Sequence, residues 1–303
     1  MALFGRVARL VLGQAGGKGV EITELRIAFE VEKTISKNPN SSNVRVWNLA
    51  KTTREQLQKP DTRCLLYAGY EEDRGPLVIF NGAVSFAFTS FDGPDVITEC
   101  ELGDGAVEIR DTVVSLGYSG GVSSATVLRD IASRMGVALV VADDVQPRSW
   151  AHGFSFYGPA RVALDKVTHG SGTRWSIQNG ELQVVRTGGT TTRTAIVLQA
   201  DSGLIGHPER MRHGRQEAAT VRDQDTARTR RIESARRQQD GWQVRTLLQP
   251  TILPGDPVIL RSRSVEGTFR ASEVRHVGDT HEGEWFTELK LVEKLEQTRS
   301  ARS

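Results

Sequence analysis

Leu247-Leu248-Gln249-Pro250-Thr251-Ile252-Leu253-Pro254-Gly255-Asp256-Pro257-Val258-Ile259-Leu260 opens the stretch whose reading decides the fold, and it continues to Val292. Apolar residues alternate with polar ones across Phe269, Ala271 and Val274, and again across Trp285, Thr287 and Leu289. A period of two marks half-buried strands, because successive strand side chains point to opposite faces. Gly278-Asp279 to Glu282-Gly283 is a turn cluster between two such runs, which predicts a hairpin. Pro254-Gly255-Asp256-Pro257 predicts a second turn, opening a strand at Val258-Ile259-Leu260. The C-terminal region therefore reads as a small antiparallel barrel or sandwich.

The same grammar fills the N-terminal third. Arg6 to Leu12 alternates, and Leu25, Ile27, Phe29 and Val31 share one face of a further strand. Gly13 to Gly19 reads as a glycine-rich turn, and Asn38 to Ser42 as a loop before a strand at Asn43 to Leu49. Lys51 to Gln58 has helical character, with Thr52 or Thr53 as cap and Leu57 turned inward. Cys64 to Tyr70, Leu77 to Phe80, Gly82 to Phe88 and Asp95 to Leu102 complete a set of short strands separated by turns.

Between these β-rich ends the pattern changes. Ser123-Ser124 can cap a helix whose apolar face is Val127, Leu128, Ile131 and Met135, with Gly136 at its end. Gly158-Pro159 starts a second helix with the face Val162, Ala163, Leu164 and Val167. Asn179-Gly180 joins two strand-like runs and is the strongest turn signal in the chain. The predicted organisation is a β-barrel over residues 1–110, an α+β module over 111–187 and a second β-barrel over 188–303. Thr187 to Thr192 reads as a linker. Residues 215–240 interleave Arg222, Arg228, Arg230, Arg231, Arg236 and Arg237 with acids and few apolar side chains, so they cannot bury a core and read as a solvated helix or a mobile loop.

Composition narrows the function classes. The 303 residues carry a formal net charge of +2, too little for a dedicated nucleic-acid binder. Cys64 and Cys100 fall in separate strand-like runs and read as free buried thiols. The N-terminal apolar run is interrupted by Arg9 and Gln14, so no signal peptide is predicted. No run reaches the roughly 20 apolar residues of a membrane span. The expectation is a soluble protein made in a cytoplasm.

Candidate chemistry is sparse. His276, Asp279 and His281 could ligate zinc or iron. All three also occupy ordinary hairpin positions, which is the preferred reading. Gly117 to Gly121 lacks the spacing of a nucleophile elbow, and Gly13 to Gly19 lacks the hydroxyl of a phosphate loop. Glu71-Glu72-Asp73 and Asp143-Asp144 read as solvated loop acids, and His152 and His169 as exposed loop residues. Trp47, Trp175 and Trp285 read as core or interface anchors. No catalytic residue, metal or cofactor is expected.

The order of parts adds a resemblance. Phe29-Glu30-Val31-Glu32-Lys33-Thr34, Lys37-Asn38-Pro39-Asn40, Val44-Arg45-Val46-Trp47-Asn48-Leu49 and Thr53-Arg54 resemble the opening of phage tail baseplate hub proteins. The middle region is similar to the α+β module of the same family. Its run from Ala163 to Gly180 also resembles the short N-domains of secretins. Gly203 to Arg210 and the C-terminal stretch resemble the family's second barrel, while 215–240 departs from it. The resemblance implies a virion structural protein of the tail tip: a homotrimer forming a pseudo-six-fold ring that joins the tail tube to the tip. Implied partners are tail tube or distal tail proteins, the tape-measure protein and other baseplate or tail-fibre proteins. DNA would pass through the lumen without specific binding during ejection, and no stable membrane insertion is implied. The competing readings are a metal-dependent cell-wall hydrolase built on His276, Asp279 and His281, and an envelope-binding module at residues 111–187.

Overall fold

The structure, a computed structural model, describes residues 5–14, 17, 19–37, 40–59, 61–211 and 241–293. The expectations for residues 215–240 and for the tail from Leu295 lie outside the described residues. The N-terminal third contains β1 (Arg6–Gly13), β2 (Val20–Ile22), β3 (Ile27–Thr34), β4 (Asn40–Trp47), α1 (Lys51–Leu57), β5 (Arg63–Tyr70), β6 (Gly75–Asp92) and β7 (Asp95–Asp104). After α2 (Ala106–Asp111) come β8 (Val113–Tyr118), β9 (Val122–Ser123), α3 (Ser124–Met135), β10 (Ala138–Val141) and β11 (Ser149–Trp150). The middle region closes with β12 (Phe154–Pro159), α4 (Ala160–Thr168), β13 (Thr173–Gln178) and β14 (Glu181–Arg186). The C-terminal strands are β15 (Ile196–Leu198), β16 (Leu204–Met211), β17 (Gly241–Leu247), β18 (Pro257–Arg261), β19 (Glu266–Asp279) and β20 (Trp285–Glu293).

One 13-stranded sheet links both ends of the chain, running β16-β17-β20-β19-β3-β4-β7-β6-β5-β1-β2, with β18 on β19 and β15 on β18. The two expected barrels are not what the hydrogen-bond ladders draw: among the described residues no sheet closes on itself. The reason lies in β19. Its first residues pair with β18, and its last seven, Glu273 to Asp279, pair with β3. A strand long enough to serve two neighbours in succession merges the N- and C-terminal ladders into one.

Three apolar cores remain distinct. The first gathers the inward residues of β1 to β7, including Leu10, Phe29, Val31, Leu66 and Phe80, and takes in Leu248 and Trp285 from the far end of the chain. Trp285 meets Phe29 edge-on at 5.3 Å between ring centroids, and the Tyr70 hydroxyl accepts from the Leu248 amide at 3.1 Å. The second core packs α3 and α4 on β13 and β14, and the third sits between β17, β18, β19 and β20.

Local signals explain most elements. Ser123 caps α3 by accepting from the Thr126 amide, and Gly136 ends it at φ +70°. Asn179 and Gly180 both have positive φ, +52° and +79°, as the two-residue hairpin between β13 and β14 requires. Other expectations need correction. α1 begins after Ala50 without a side-chain cap, so neither Thr52 nor Thr53 plays that role. Val162 is exposed, leaving Ala163, Leu164 and Val167 as the buried face of α4. β4 starts at Asn40, because Asn40 is buried and its side chain accepts from the Thr34 amide. The two strands expected at Leu77 to Phe88 are one. Gly82 lets β7 approach so closely that a Cβ there would lie 2.3 Å from the Gly103 carbonyl oxygen, so this glycine marks close pairing and no break. The stretch Thr187 to Thr192, read as a linker, is stitched down: Thr191 donates to Asp256 at 2.6 Å and Arg270 to the Gly189 carbonyl at 3.3 Å.

Candidate assembly surfaces and the buried junction

The three candidate metal ligands do not converge. His276 points inward from β19 and is fully buried, its Nδ1 2.8 Å from the Thr287 hydroxyl. Asp279 takes a bidentate hydrogen bond from Arg26, with the closest approach at 2.8 Å, and its other acceptor capacity serves the His281 and Glu282 amides. His281 is exposed beside Thr280. Among the described residues no cluster of three His, Cys, Asp or Glu could hold a metal ion. Asp279 organises the hairpin turn and ties it to the residue before β3. The remaining loop candidates are dispersed: Ser119, His152, His169, Glu71, Glu72, Asp73, Asp143 and Asp144 are all exposed. Cys64 and Cys100 are free and buried, and burial pushes both thiols up, Cys100 to about 12.

The alternation missed one polar cluster. It lies where the β13–β14 hairpin enters the N-terminal strands. Lys33 is 0% exposed and donates to the Asn179 side chain. The Asn179 amide donates to Asp104, also 0% exposed, at 2.8 Å. Around them Gln178 donates to the Thr34 carbonyl at 2.8 Å, Asn40 to Gln178 at 3.2 Å and Asn81 to the Asn179 carbonyl at 3.1 Å. Burial dominates the electrostatics. It lowers the Lys33 ammonium to about 8 against the opposing pull of Asp104, and raises the Asp104 carboxyl to about 6 against the pull of Lys33. The two charges are bridged by the hairpin tip, so the middle module is pinned to the sheet by a relay that runs through this turn. The signal was present: Lys33 continues the inward phase of Phe29 and Val31, and Asp104 that of Cys100 and Leu102.

The opposite face of the sheet carries rows of charged side chains interleaved with Ala28, Val277 and Phe286. Register places Glu99, Arg45, Ala28 and Asp279 in one row across β7, β4, β3 and β19. A second row holds Glu32, Arg275, Glu288 and Arg245 across β3, β19, β20 and β17. Arg275 bonds Glu30 at 2.7 Å, and Arg245 lies 3.6 Å from Glu288 and stacks on Phe286 at 4.1 Å. A shallow depression of about 360 Å³ on this face is lined by Arg26 and Arg45 against Glu30, Glu99, Asp279, Glu282 and Glu284. The arginines are largely engaged by carboxylates, and the surplus charge is negative.

Comparison with solved structures matches this architecture along nearly the whole chain. A prophage tail protein from Shewanella oneidensis superposes with a TM-score of 0.61 at 12% identity, covering 94% of this chain and 97% of its own. A tail protein from Neisseria meningitidis gives the same TM-score and identity over 96% of this chain and 97% of its own. The fold is that of phage tail proteins. An E. coli component of the type VI secretion system, described as structurally similar to phage tail proteins, matches this tail-protein fold at a TM-score of 0.53 and 10% identity, over 89% of this chain and 74% of its own. No family model matches the sequence, and no curated protein matches it.

Proposed function

We propose that the chain is a structural hub of a phage or phage-like tail, three copies of which form a pseudo-six-fold ring joining the tail tube to the tip. The observation that carries this reading is the pair of β cores in one subunit, at the two ends of the chain and joined through the β3–β19 ladder. Each β unit takes one of six equivalent positions, so three chains complete the ring. The proposed units are residues 1–110 and 188–303, with 111–187 as the module between them. Placement on the charged sheet face suits a lumen: carboxylates outnumber free cations there, so a DNA backbone meets repulsion and slides without being held. Neighbouring tube and baseplate proteins are the proposed partners, and the role is structural, not enzymatic.

Cryo-EM of tails that carry this chain tests the reading. A three-copy ring at the tube terminus supports it. A different stoichiometry, or placement outside the tail, removes it.

A further inference from the structure

The back of the β13–β14 hairpin meets the C-terminal strands along a polar seam. Trp175, Ile177, Leu182 and Val184 face α3 and α4 in the second core. The alternate residues share the other side, where Ser176 pairs with Gln183 and Arg174 with Val185. Gly255 and the start of β19 stand across the seam. A Cβ at Gly255 would lie 3.9 Å from the Gln183 Oε1, and the Gly255 amide donates to the Ala271 carbonyl at 2.7 Å.

Arg270 reaches into this seam from β19 and is 7% exposed. Its Nη1 donates to the Gly189 carbonyl, and its Nε is buried without a partner. Among the described residues Arg270 forms no ion pair. The carboxylates nearby are engaged elsewhere. Asp256 accepts from Thr191 at 2.6 Å and from the Leu253 amide at 2.9 Å, and Glu181 accepts from Arg193 at 2.6 Å. Asp144 approaches Gly189 but makes no ion pair with Arg270. Burial, reinforced by the like charge of Arg174, pulls the Arg270 guanidinium down from its ordinary pKa. Arg174 is exposed and has no ion pair among the described residues. Gln183 is 2% exposed, and its Nε2 has no partner either. A buried cation without a counter-charge is strongly destabilising, and buried donors in folded proteins are satisfied with few exceptions. Two like charges and an unmatched amide at one seam call for an anion.

We propose that Arg270, Arg174 and Gln183 form an oxyanion site between the middle module and the C-terminal strands, taking a phosphate or a carboxylate. Two guanidiniums repel each other until an oxyanion stands between them, and their planar N–H groups suit its oxygens. Arg174, exposed and free to turn, is the entry side, and Arg270 is the fixed floor. The bound anion ties β13 to β19. The site is independent of the ring reading.

The test uses the full chain at pH 7 and constant ionic strength, with chloride replaced by inorganic phosphate in one series and by acetate in another. Thermal midpoints and calorimetric titrations are recorded for wild type, Arg174→Gln, Arg270→Gln and, as a control, Arg74→Gln in the exposed β5–β6 turn. The wild-type midpoint is expected to rise along a saturating curve. Phosphate at 100 times its dissociation constant raises the folded-to-unfolded ratio about 100-fold. The control is expected to keep this curve, and Arg174→Gln and Arg270→Gln to lose its saturating part, leaving only the shallow rise common to all salts of this kind. Arg270→Gln removes an uncompensated buried charge, so its midpoint in chloride is expected to be no lower than wild type. Should that variant fail to fold, Arg174→Gln, altered at an exposed position, decides alone. Saturation with phosphate only assigns the site to a phosphate-bearing ligand. Saturation with acetate as well assigns it to a carboxylate, such as an acidic side chain of a neighbouring protein supplies. Identical curves in wild type and Arg174→Gln, or no saturable heat with either anion, overturn the site and leave the ring reading untouched.

Discussion

His276→Gln separates two opposing titrations inside the fold. His276 is fully buried on β19, and burial, reinforced by the charge on Lys33, lowers its imidazole to about 3 from 6.5. A depressed imidazole means that below pH 6.5 the unfolded chain takes up a proton that the folded chain refuses. Stability from this group is therefore fully present above pH 6.5 and is lost as pH falls toward 3. At about 1.4 kcal/mol per pH unit the loss is about 3 kcal/mol by pH 4. Asp104 works the other way. Its folded carboxyl, raised to about 6 from 3.8, binds a proton before the unfolded one does. Stability from Asp104 thus increases by about 2 kcal/mol as pH falls from 6 to 4. Lys33, at about 8, stays charged throughout this window. The two contributions partly offset each other in the wild type. Gln can keep a hydrogen bond to Thr287 and cannot titrate, so the variant shows the Asp104 gain alone. Urea denaturation at pH 7, 6, 5 and 4 measures this. The stability of the variant relative to wild type is expected to rise by about 3 kcal/mol between pH 7 and pH 4. A difference that stays constant with pH would show that His276 titrates in the fold as it does in the unfolded chain, and the reasoning from its burial would be wrong.

Other outcomes follow from the same packing. Trp285→Ala is expected to cost about 3–5 kcal/mol in urea denaturation, because Trp285 fills the N-terminal core from the opposite end of the chain. Gly278→Ala places a Cβ 2.3 Å from the Phe29 ring, and overpacking of this kind is expected to cost about 1–3 kcal/mol with loss of the Phe29–Trp285 edge contact in near-UV circular dichroism. In a double-mutant cycle, Lys33→Met and Asp104→Asn are each expected to destabilise by stranding the other group. The double variant is expected to lose less than the sum by at least about 1 kcal/mol, whereas strict additivity would refute the relay through Asn179.

Much of the fold was legible because its signals are local. Alternation in β1, β3, β19 and β20, the Ser123 cap with Gly136, and the Asn179-Gly180 turn each act within a few residues, and each element stands where they point. What failed was what depends on distant partners. Nothing near Glu266 to Asp279 announces that this strand pairs first with β18 and then with β3, a relation spanning some 240 residues, so the local pattern points to two barrels where the described residues form one sheet that does not close on itself. Helix α2 was missed because its six residues carry one buried side chain, Ile109. The buried junction went unread for a different reason. The inward phase of β3 runs onto Lys33 and that of β7 onto Asp104, but a charge at an inward position reads as the end of a strand until its partner is known. That partner, the Asn179 turn, comes from another module.

The ring itself is the central claim. Cryo-EM reconstruction of tails containing this chain, with its copies counted at the tube terminus, tests it most directly. The account predicts three copies, each contributing two β units around one lumen lined by the Glu99–Arg45–Asp279 face. A ring of any other copy number, or a lumen lined by a different face, would contradict it.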